Sequence, residues 1–124
     1  MILVIGGAAS GKRTFARSLG FTEKDLADAV LDESPVIYNA QRLVAQLGPE
    51  GDIAALAENL SAKDVVICDE VGSGVVPIEK DARLYRENVG RLCEQLSTRA
   101  AAVVRVVCGI PVWLKGSPKE EGLS

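Results

Sequence analysis

The sequence predicts an α/β fold: a mostly parallel β-sheet flanked by helices in three layers. Two stretches carry this prediction. The apolar run at residues 1–5 leads into a glycine-rich loop and a helical pattern at 14–19, and a second apolar run at 64–70 ends in two carboxylates. A length of 124 residues favours a single domain, small for a nucleotide-handling enzyme. We place that domain at residues 1–115 and expect a flexible tail at 116–124.

The first loop has the pattern of a phosphate-binding site. It lies between a strand and a helix, where backbone amides, the start of the helix and a lysine converge on an anion. Gly6 and Gly11 allow the backbone to approach phosphates without an intervening Cβ. The residues predicted to hold a nucleotide are Gly6, Gly7, Ala8, Ala9, Ser10, Gly11, Lys12, Arg13 and Thr14. A glycine-rich turn without a ligand is the alternative.

The end of this loop departs from the usual pattern. Phosphate loops of the form G-x-x-x-x-G-K-[ST] end in a hydroxyl that ligates Mg²⁺, and Arg13 stands at that position here. Thr14 is a poor substitute, because one residue along a helix is a rotation of about 100°. We therefore expect phosphate binding by a loop that lacks the usual hydroxyl ligand for Mg²⁺.

Between the glycine-rich loop and the apolar run at 64–70, the sequence predicts three helices and one short strand. After a helix stop at Gly20, Thr22 and Asp25 form a variant of the capping box, and the apolar spacing at 26–31 predicts a helix that ends before Ser34–Pro35. The later elements are a strand at 36–38, a helix at 39–47 ended by Gly48, and a helix at 53–60 capped by Asp52.

Asp69 and Glu70 follow a buried apolar run and should lie at the carboxyl end of a parallel strand. Ligands of open α/β sheets bind at that edge, and in phosphate-loop proteins an acid there holds Mg²⁺ directly or through water. We predict that Lys12, Asp69 and Glu70 are catalytic and that the two acids are the candidate Mg²⁺ ligands. A solvated acidic turn is the alternative. The chain then continues with a glycine-bearing loop at 71–77, a long helix at 78–100 and a strand at 101–108.

Composition excludes several classes of function. The net charge of −3, with no basic block, gives little support for nucleic-acid binding, and no apolar run is long enough to cross a bilayer. We identify no export signal and expect a cytoplasmic protein in which Cys68, Cys93 and Cys108 are structural free thiols. The absence of histidine excludes a Ser-His-Asp triad, a histidine metal site and a phosphohistidine-type intermediate.

Three segments together resemble a known family. The loop at 6–12, the run Asp-Glu-Val-Gly-Ser-Gly-Val-Val-Pro at 69–77 and the stretch Gly-Ile-Pro-Val-Trp-Leu-Lys at 109–115 are similar to the bifunctional adenosylcobinamide kinase / adenosylcobinamide-phosphate guanylyltransferases of cobalamin biosynthesis. The resemblance covers about the first twenty residues and residues 64–115. It implies a P-loop NTPase-like sheet of reduced size that binds ATP or GTP, phosphorylates a cobinamide-type hydroxyl and forms a homo-oligomer.

Several departures from the family pattern shape the expected function. No histidine is present to carry GMP, Arg13 replaces the metal-binding serine, Ala9 replaces the loop arginine, and the middle of the family is missing or collapsed into residues 21–63. We expect Arg13 to contact Asp69 or Glu70 in the space that Mg²⁺ would fill. The hypotheses are a cobinamide kinase-like phosphotransferase without guanylyltransferase activity, a non-catalytic nucleotide- or phosphate-binding module, and an inherited fold that binds only adventitious anions.

Overall fold

Six strands and four α-helices make up the part of the chain that the computed structural model describes, residues 1–70 and 79–122. The strands are β1 (Ile2–Gly6), β2 (Leu26–Asp28), β3 (Val36–Tyr38), β4 (Val65–Asp69), β5 (Ala102–Val107) and β6 (Ile110–Lys115). The helices are α1 (Lys12–Ser18), α2 (Gln41–Leu47), α3 (Ile53–Leu60) and α4 (Lys80–Arg99), and a single 3-10 turn covers Glu23–Asp25.

The strands form one sheet in the order β2-β3-β4-β1-β5-β6, and only the β5–β6 pair is antiparallel. This confirms the predicted mostly parallel α/β fold. The central strand β1 lies between β4 and β5, and its register places Gly6 beside Asp69. The glycine loop and the acids after β4 therefore leave the sheet at the same edge. Within the described residues, no helix is both long and apolar enough to span a bilayer.

Apolar side chains are buried on both faces of the sheet. Because successive side chains of a strand point to opposite faces, Leu3 and Val66 pack with α2, α3 and α4, whereas Val4 and Ile67 pack with α1. The helical residues of the first core are Leu43, Val44, Ile53, Leu56, Ala57, Leu60, Val89, Leu92 and Leu96. The second core contains Ala16 of α1 and is extended by an edge-to-face contact of Phe15 with Trp113. The result is the expected three-layer arrangement.

The later predicted helices are confirmed to within about two residues. Asp52 caps α3, since its Oδ1 accepts a hydrogen bond of 3.0 Å from the Ala55 amide. α2 ends at Leu47 with Gly48 as its C-cap, and α4 buries Val89, Leu92 and Leu96. The predicted glycine-bearing loop at 71–77 lies outside the described residues, and the flexibility of the tail stays a prediction.

The predicted helix after Thr22 is wrong. The capping interaction forms, with the Thr22 amide donating to Asp25 Oδ2 at 2.8 Å, but it closes only one 3-10 turn. The chain then continues as β2, which pairs in parallel with β3 at the edge of the sheet. One capped turn cannot offset the cost of helix nucleation in so short a segment before Pro35. Strand pairing therefore overrides the helical spacing.

The last strand, β6, has no counterpart in the elements predicted from the sequence. It returns antiparallel to β5 through a two-residue turn at Cys108 and Gly109, whose φ angles are 50° and 78°. Two successive positive φ angles are the geometry of the tight hairpin turns whose twist matches that of paired strands. Pro111 is tolerated because β6 is an edge strand.

Candidate functional site

The Lys12 side chain lies at the centre of the glycine loop, residues 6–12, and is only 5% exposed. Its Nζ donates to the Gly7 carbonyl and lies 3.4 Å from Ser10 Oγ. The Nζ also lies 2.8 Å from Asp69 Oδ1. A buried ammonium is expensive unless it is paired. The loop therefore surrounds the positively charged Lys12 ammonium, and the Asp69 carboxylate is its counter-charge.

Two glycines and the β5–β6 turn hold the loop close to the sheet. A Cβ at Gly6 would lie 2.5 Å from the Val106 carbonyl oxygen and 2.6 Å from Ser10 Oγ, so no larger residue fits there without a shift. Gly11 has φ 100° and precedes α1, and a Cβ there would lie 3.1 Å from the Cα of Gly109. The Gly109 amide also donates to the Ser10 carbonyl at 2.8 Å. The hairpin turn thus supports the loop directly.

A cavity of about 400 Å³ opens above this loop. It is lined by Ala9, Ser10, Gly11, Lys12, Arg13, Thr14, Arg17, Tyr38, Asn39, Ile67 and Asp69. Seven of the residues predicted for the site line it; Gly6, Gly7, Ala8 and Glu70 are not among its lining residues. The lining contains three basic side chains and one carboxylate, although the chain as a whole carries a net charge of −3. This local excess of positive charge suits an anionic ligand.

Arg13 does not pair with the acids after β4, so the predicted contact is wrong. Its guanidinium lies over the ring of Tyr38, 4.8 Å from the ring centroid, and its Nη2 is 3.9 Å from Glu23 Oε2. Among the described residues, Asp69 and Glu70 pair with other cations. Tyr38 ends β3 beside the cavity, and stacking on its face holds the guanidinium there.

Glu70 forms a two-point ion pair with Arg105, a residue that the sequence analysis did not identify. Arg105 Nε lies 2.9 Å from Oε1, and Nη2 donates to Oε2 at 3.1 Å. The amide of Glu70 also donates to the Gly6 carbonyl at 2.7 Å. The single charged residue within the apolar run of β5 was the available signal, because the planar fork of an arginine suits a two-point contact with a carboxylate.

The end of β3 contributes further polar groups that the sequence analysis missed. Asn39 lines the cavity with φ 56°, a left-handed conformation that asparagine tolerates. Gln41 is 8% exposed; its Oε1 accepts from the Asp69 amide at 3.0 Å and its Nε2 donates to Asn39 Oδ1 at 3.4 Å. This chain of hydrogen bonds links the ends of β3 and β4. Polar residues directly after a strand at the carboxyl edge were the signal.

The three cysteines are free thiols in different environments. Cys68 is buried on β4, and its Sγ is 3.6 Å from that of Cys93 on α4. This contact, together with burial, raises the pKa of Cys68 well above the ordinary thiol value. The same contact lowers the pKa of Cys93, because the Cys68 thiol can donate to a Cys93 thiolate. Cys108 is exposed in the hairpin turn.

Comparison with known proteins identifies the family. The family model described as "Cobinamide kinase / cobinamide phosphate guanyltransferase" matches residues 37–114, which is more than half of the chain. The chain belongs to this cobinamide kinase family. The match contains α2, α3, β4, α4 and β5 and all but one residue of β3 and of β6. It includes residues 37–63, which lie outside the three segments that carry the resemblance in the sequence. The glycine loop lies outside the matched residues.

Three curated relatives are named as bifunctional adenosylcobalamin biosynthesis proteins. CobU of Escherichia coli is 34% identical over 85 residues, which cover 68% of this chain and 47% of that protein. CobP of Pseudomonas aeruginosa is 33% identical over 72 residues, covering 56% and 42%, and CobU of Salmonella typhimurium is 38% identical over 63 residues, covering 51% and 35%. The chain thus aligns with less than half the length of each of these relatives.

The described residues do not fit the magnesium site that a kinase with a phosphate loop implies. Arg13 occupies the position of the hydroxyl ligand, and the Thr14 hydroxyl accepts a hydrogen bond of 3.2 Å from Arg17 Nη2. Of the two predicted metal ligands, Asp69 is paired with Lys12 and Glu70 with Arg105. Within residues 1–70 and 79–122, no group of three or more histidine, cysteine or acidic residues could hold a metal ion. The candidate oxygen ligands, Asp69, Glu70 and Thr14, thus already have partners, and Arg13 adds a positive charge at the position of the usual hydroxyl ligand.

Proposed function

We propose that this chain is a kinase-like member of the cobinamide kinase family. In this proposal it binds the phosphates of ATP or GTP around Lys12 and passes a phosphoryl group to the hydroxyl of a cobinamide-type substrate. The observation that carries the proposal is the burial of Lys12 beneath a cavity with three basic side chains. Family membership supplies the reaction class, and the glycine loop supplies the place for the phosphates.

The roles of the site residues follow from their contacts. On binding, Lys12 Nζ would exchange Asp69 Oδ1 for phosphate oxygens, and its contact with the Gly7 carbonyl would keep it in the loop. The acceptor hydroxyl oxygen would bond to the γ-phosphorus as the bond to the β–γ bridging oxygen breaks. The released Asp69 carboxylate is then placed to take the hydroxyl proton. Glu70 remains fixed by Arg105.

The guanylyltransferase reaction is proposed to be absent from this chain. The family resemblance implies that GMP transfer passes through a covalent histidine intermediate, and none of the 124 residues is a histidine. The part of the relatives that does not align with this chain is more than half of their length. The proposal is therefore restricted to nucleotide binding and the kinase step.

A nucleotide-binding module without catalysis is the second candidate. The ion pairs of both candidate acids, together with Arg13 at the hydroxyl position, favour it. Such a module would bind ATP or GTP through the same loop and leave cobinamide unmodified. Both candidates therefore predict binding of ATP or GTP, and only the kinase predicts phosphorylation of cobinamide.

The test combines a binding measurement with a transfer measurement. Isothermal titration with ATP and with GTP should detect binding to the unmodified chain. Lys12→Met should weaken it about 10- to 100-fold, because charge-assisted contacts to phosphate are lost. Lys119→Met, on the exposed C-terminal segment, is the matched control and should bind normally. Movement of labelled γ-phosphate to cobinamide supports the kinase, and binding without transfer supports the module. Equal binding by Lys12→Met would rule out the loop as the site.

A further inference from the structure

Three cations and one carboxylate face the cavity above the glycine loop. Lys12 is buried and fixed by the loop, whereas Arg13 and Arg17 are 49% and 41% exposed. A nucleoside triphosphate brings several negative charges, which most kinases neutralise with Mg²⁺ bridging the β- and γ-phosphate oxygens. Here the lining carries two arginines besides the lysine: Arg17 is paired with Glu23, and Arg13 has only a long contact with the same carboxylate. The site can therefore neutralise a polyphosphate from protein groups.

Arg13 is held in a position from which it can turn toward a phosphate at little cost. Its contact with Glu23 is 3.9 Å, too long for a hydrogen bond, and both side chains are about half exposed. Exposed ion pairs of this kind contribute little to stability. The contact with the Tyr38 ring, 4.8 Å from Cζ to the centroid, is not a hydrogen bond, so it does not use the N–H donors that a bidentate phosphate contact needs.

Of the two acids that could bind a magnesium ion, Glu70 is held by Arg105, and Asp69 is paired with Lys12 until a phosphate displaces it. Asp69 Oδ1 lies 2.8 Å from Lys12 Nζ, and both carboxylate oxygens of Glu70 are within 3.1 Å of Arg105 nitrogens. Freeing Glu70 would leave the Arg105 guanidinium without the partner that it contacts at two points. A second cation placed between these pairs would also be repelled by Lys12 and Arg13.

We infer that Arg13 takes the place of magnesium in this site, so that the chain binds the metal-free polyphosphate anion. The inference rests on the proposed function, because it assumes that the glycine loop binds phosphates. The ligand class is the free nucleoside di- or triphosphate, or inorganic tripolyphosphate, without a divalent cation. The contact would be a bidentate one between the guanidinium and non-bridging phosphate oxygens.

The test measures dissociation constants for ATP and for tripolyphosphate by titration calorimetry, once with EDTA and once with excess Mg²⁺. For the unmodified chain, we expect binding in EDTA at least as tight as in Mg²⁺. Arg13→Ser restores the usual Gly-Lys-Ser ending, so it should bind about 10-fold more weakly in EDTA and regain affinity when Mg²⁺ is added. Arg91→Ser, an exposed arginine of α4, is the matched control and should behave as the unmodified chain.

The outcomes separate this inference from the proposed function. Binding by the unmodified chain only when Mg²⁺ is present overturns the role of Arg13 and leaves the phosphate site in place. An Arg13→Ser variant that binds normally in EDTA overturns it as well. A flat titration under both conditions overturns the proposed function together with this inference. Circular dichroism and a melting curve establish that each variant is folded before it is titrated.

Discussion

Lys12 Nζ and Asp69 Oδ1 lie 2.8 Å apart, at the edge where β1 and β4 run side by side. The lysine is 5% exposed and the aspartate 26%, so water screens the pair only in part. Gln41, the first residue of α2, accepts a hydrogen bond from the Asp69 amide and fixes the backbone there. In the proposed phosphate site, the ligand would displace this carboxylate from Lys12, so the ion pair would set part of the affinity for phosphate.

Asp69→Asn should bind tripolyphosphate more tightly than the unmodified chain, by about fivefold or roughly 1 kcal/mol. The substitution removes a negative charge beside the binding site, and the amide competes less well for Lys12. Titration calorimetry in EDTA provides the measurement. Asp64→Asn, an exposed residue immediately before β4 and far from the loop, is the control and should leave the affinity unchanged. Weaker binding by Asp69→Asn would mean that the carboxylate positions Lys12 for the ligand.

Gly11→Ala should lower the free energy of unfolding by about 1–3 kcal/mol, because φ is 100° and the new Cβ would press on Gly109. The same substitution at Gly90 supplies the control. Gly90 is exposed within α4, a Cβ there meets nothing within 4 Å, and alanine should raise stability by about 0.4–1 kcal/mol. Urea unfolding of both variants measures the two free energies. A neutral Gly11→Ala would show that the loop can relax away from the hairpin turn.

Cys93 should be alkylated by iodoacetamide at lower pH than an unfolded thiol, because the contact with Cys68 lowers its pKa. The thiolate is the reacting form, so the rate should rise with pH and reach half its maximum below the value found for the same chain in urea. The experiment uses a Cys108→Ser background, which removes the exposed thiol. Cys68 is buried and its pKa is raised, so it should be alkylated only at higher pH than Cys93.

Cys68→Ala removes the neighbouring thiol and should move the Cys93 profile back toward the urea reference. The hydrogen bond to Cys68 is the main cause of the lowered pKa of Cys93, whereas burial raises that pKa. An unchanged profile in Cys68→Ala would assign the shift to another group. Peptide mass spectrometry identifies which cysteine carries the label at each pH.

The strands with continuous apolar runs were the easiest elements to predict. β1 and β4 have buried side chains on both faces and long apolar runs, and β5 is apolar except for the exposed Arg105. The glycines and acids that follow the apolar runs of β1 and β4 mark the carboxyl edge of the sheet. α3 and α4 were predictable because a capping aspartate and a long apolar stripe are local signals.

The partners of the charged residues were harder to predict. Arg13 was expected to contact the acids after β4, and the structure places it on Tyr38 instead. The acids pair with Lys12 and with Arg105, which is 35 residues from Glu70 along the chain. Which cation meets which carboxylate depends on strand order and register, and neither is encoded in the local spacing of residues.

The sequence by itself determined the α/β class, the glycine loop with its lysine, and the acids at the end of a buried strand, since these depend on apolar periodicity and on the backbone freedom of glycine. Only the tertiary structure decided that residues 26–28 form an edge strand and that the chain returns as β6 to support the loop through Gly109. It also decided that both acids are already paired. Short segments gain little from their own helical or strand preference, so contacts with distant parts of the chain determine their conformation.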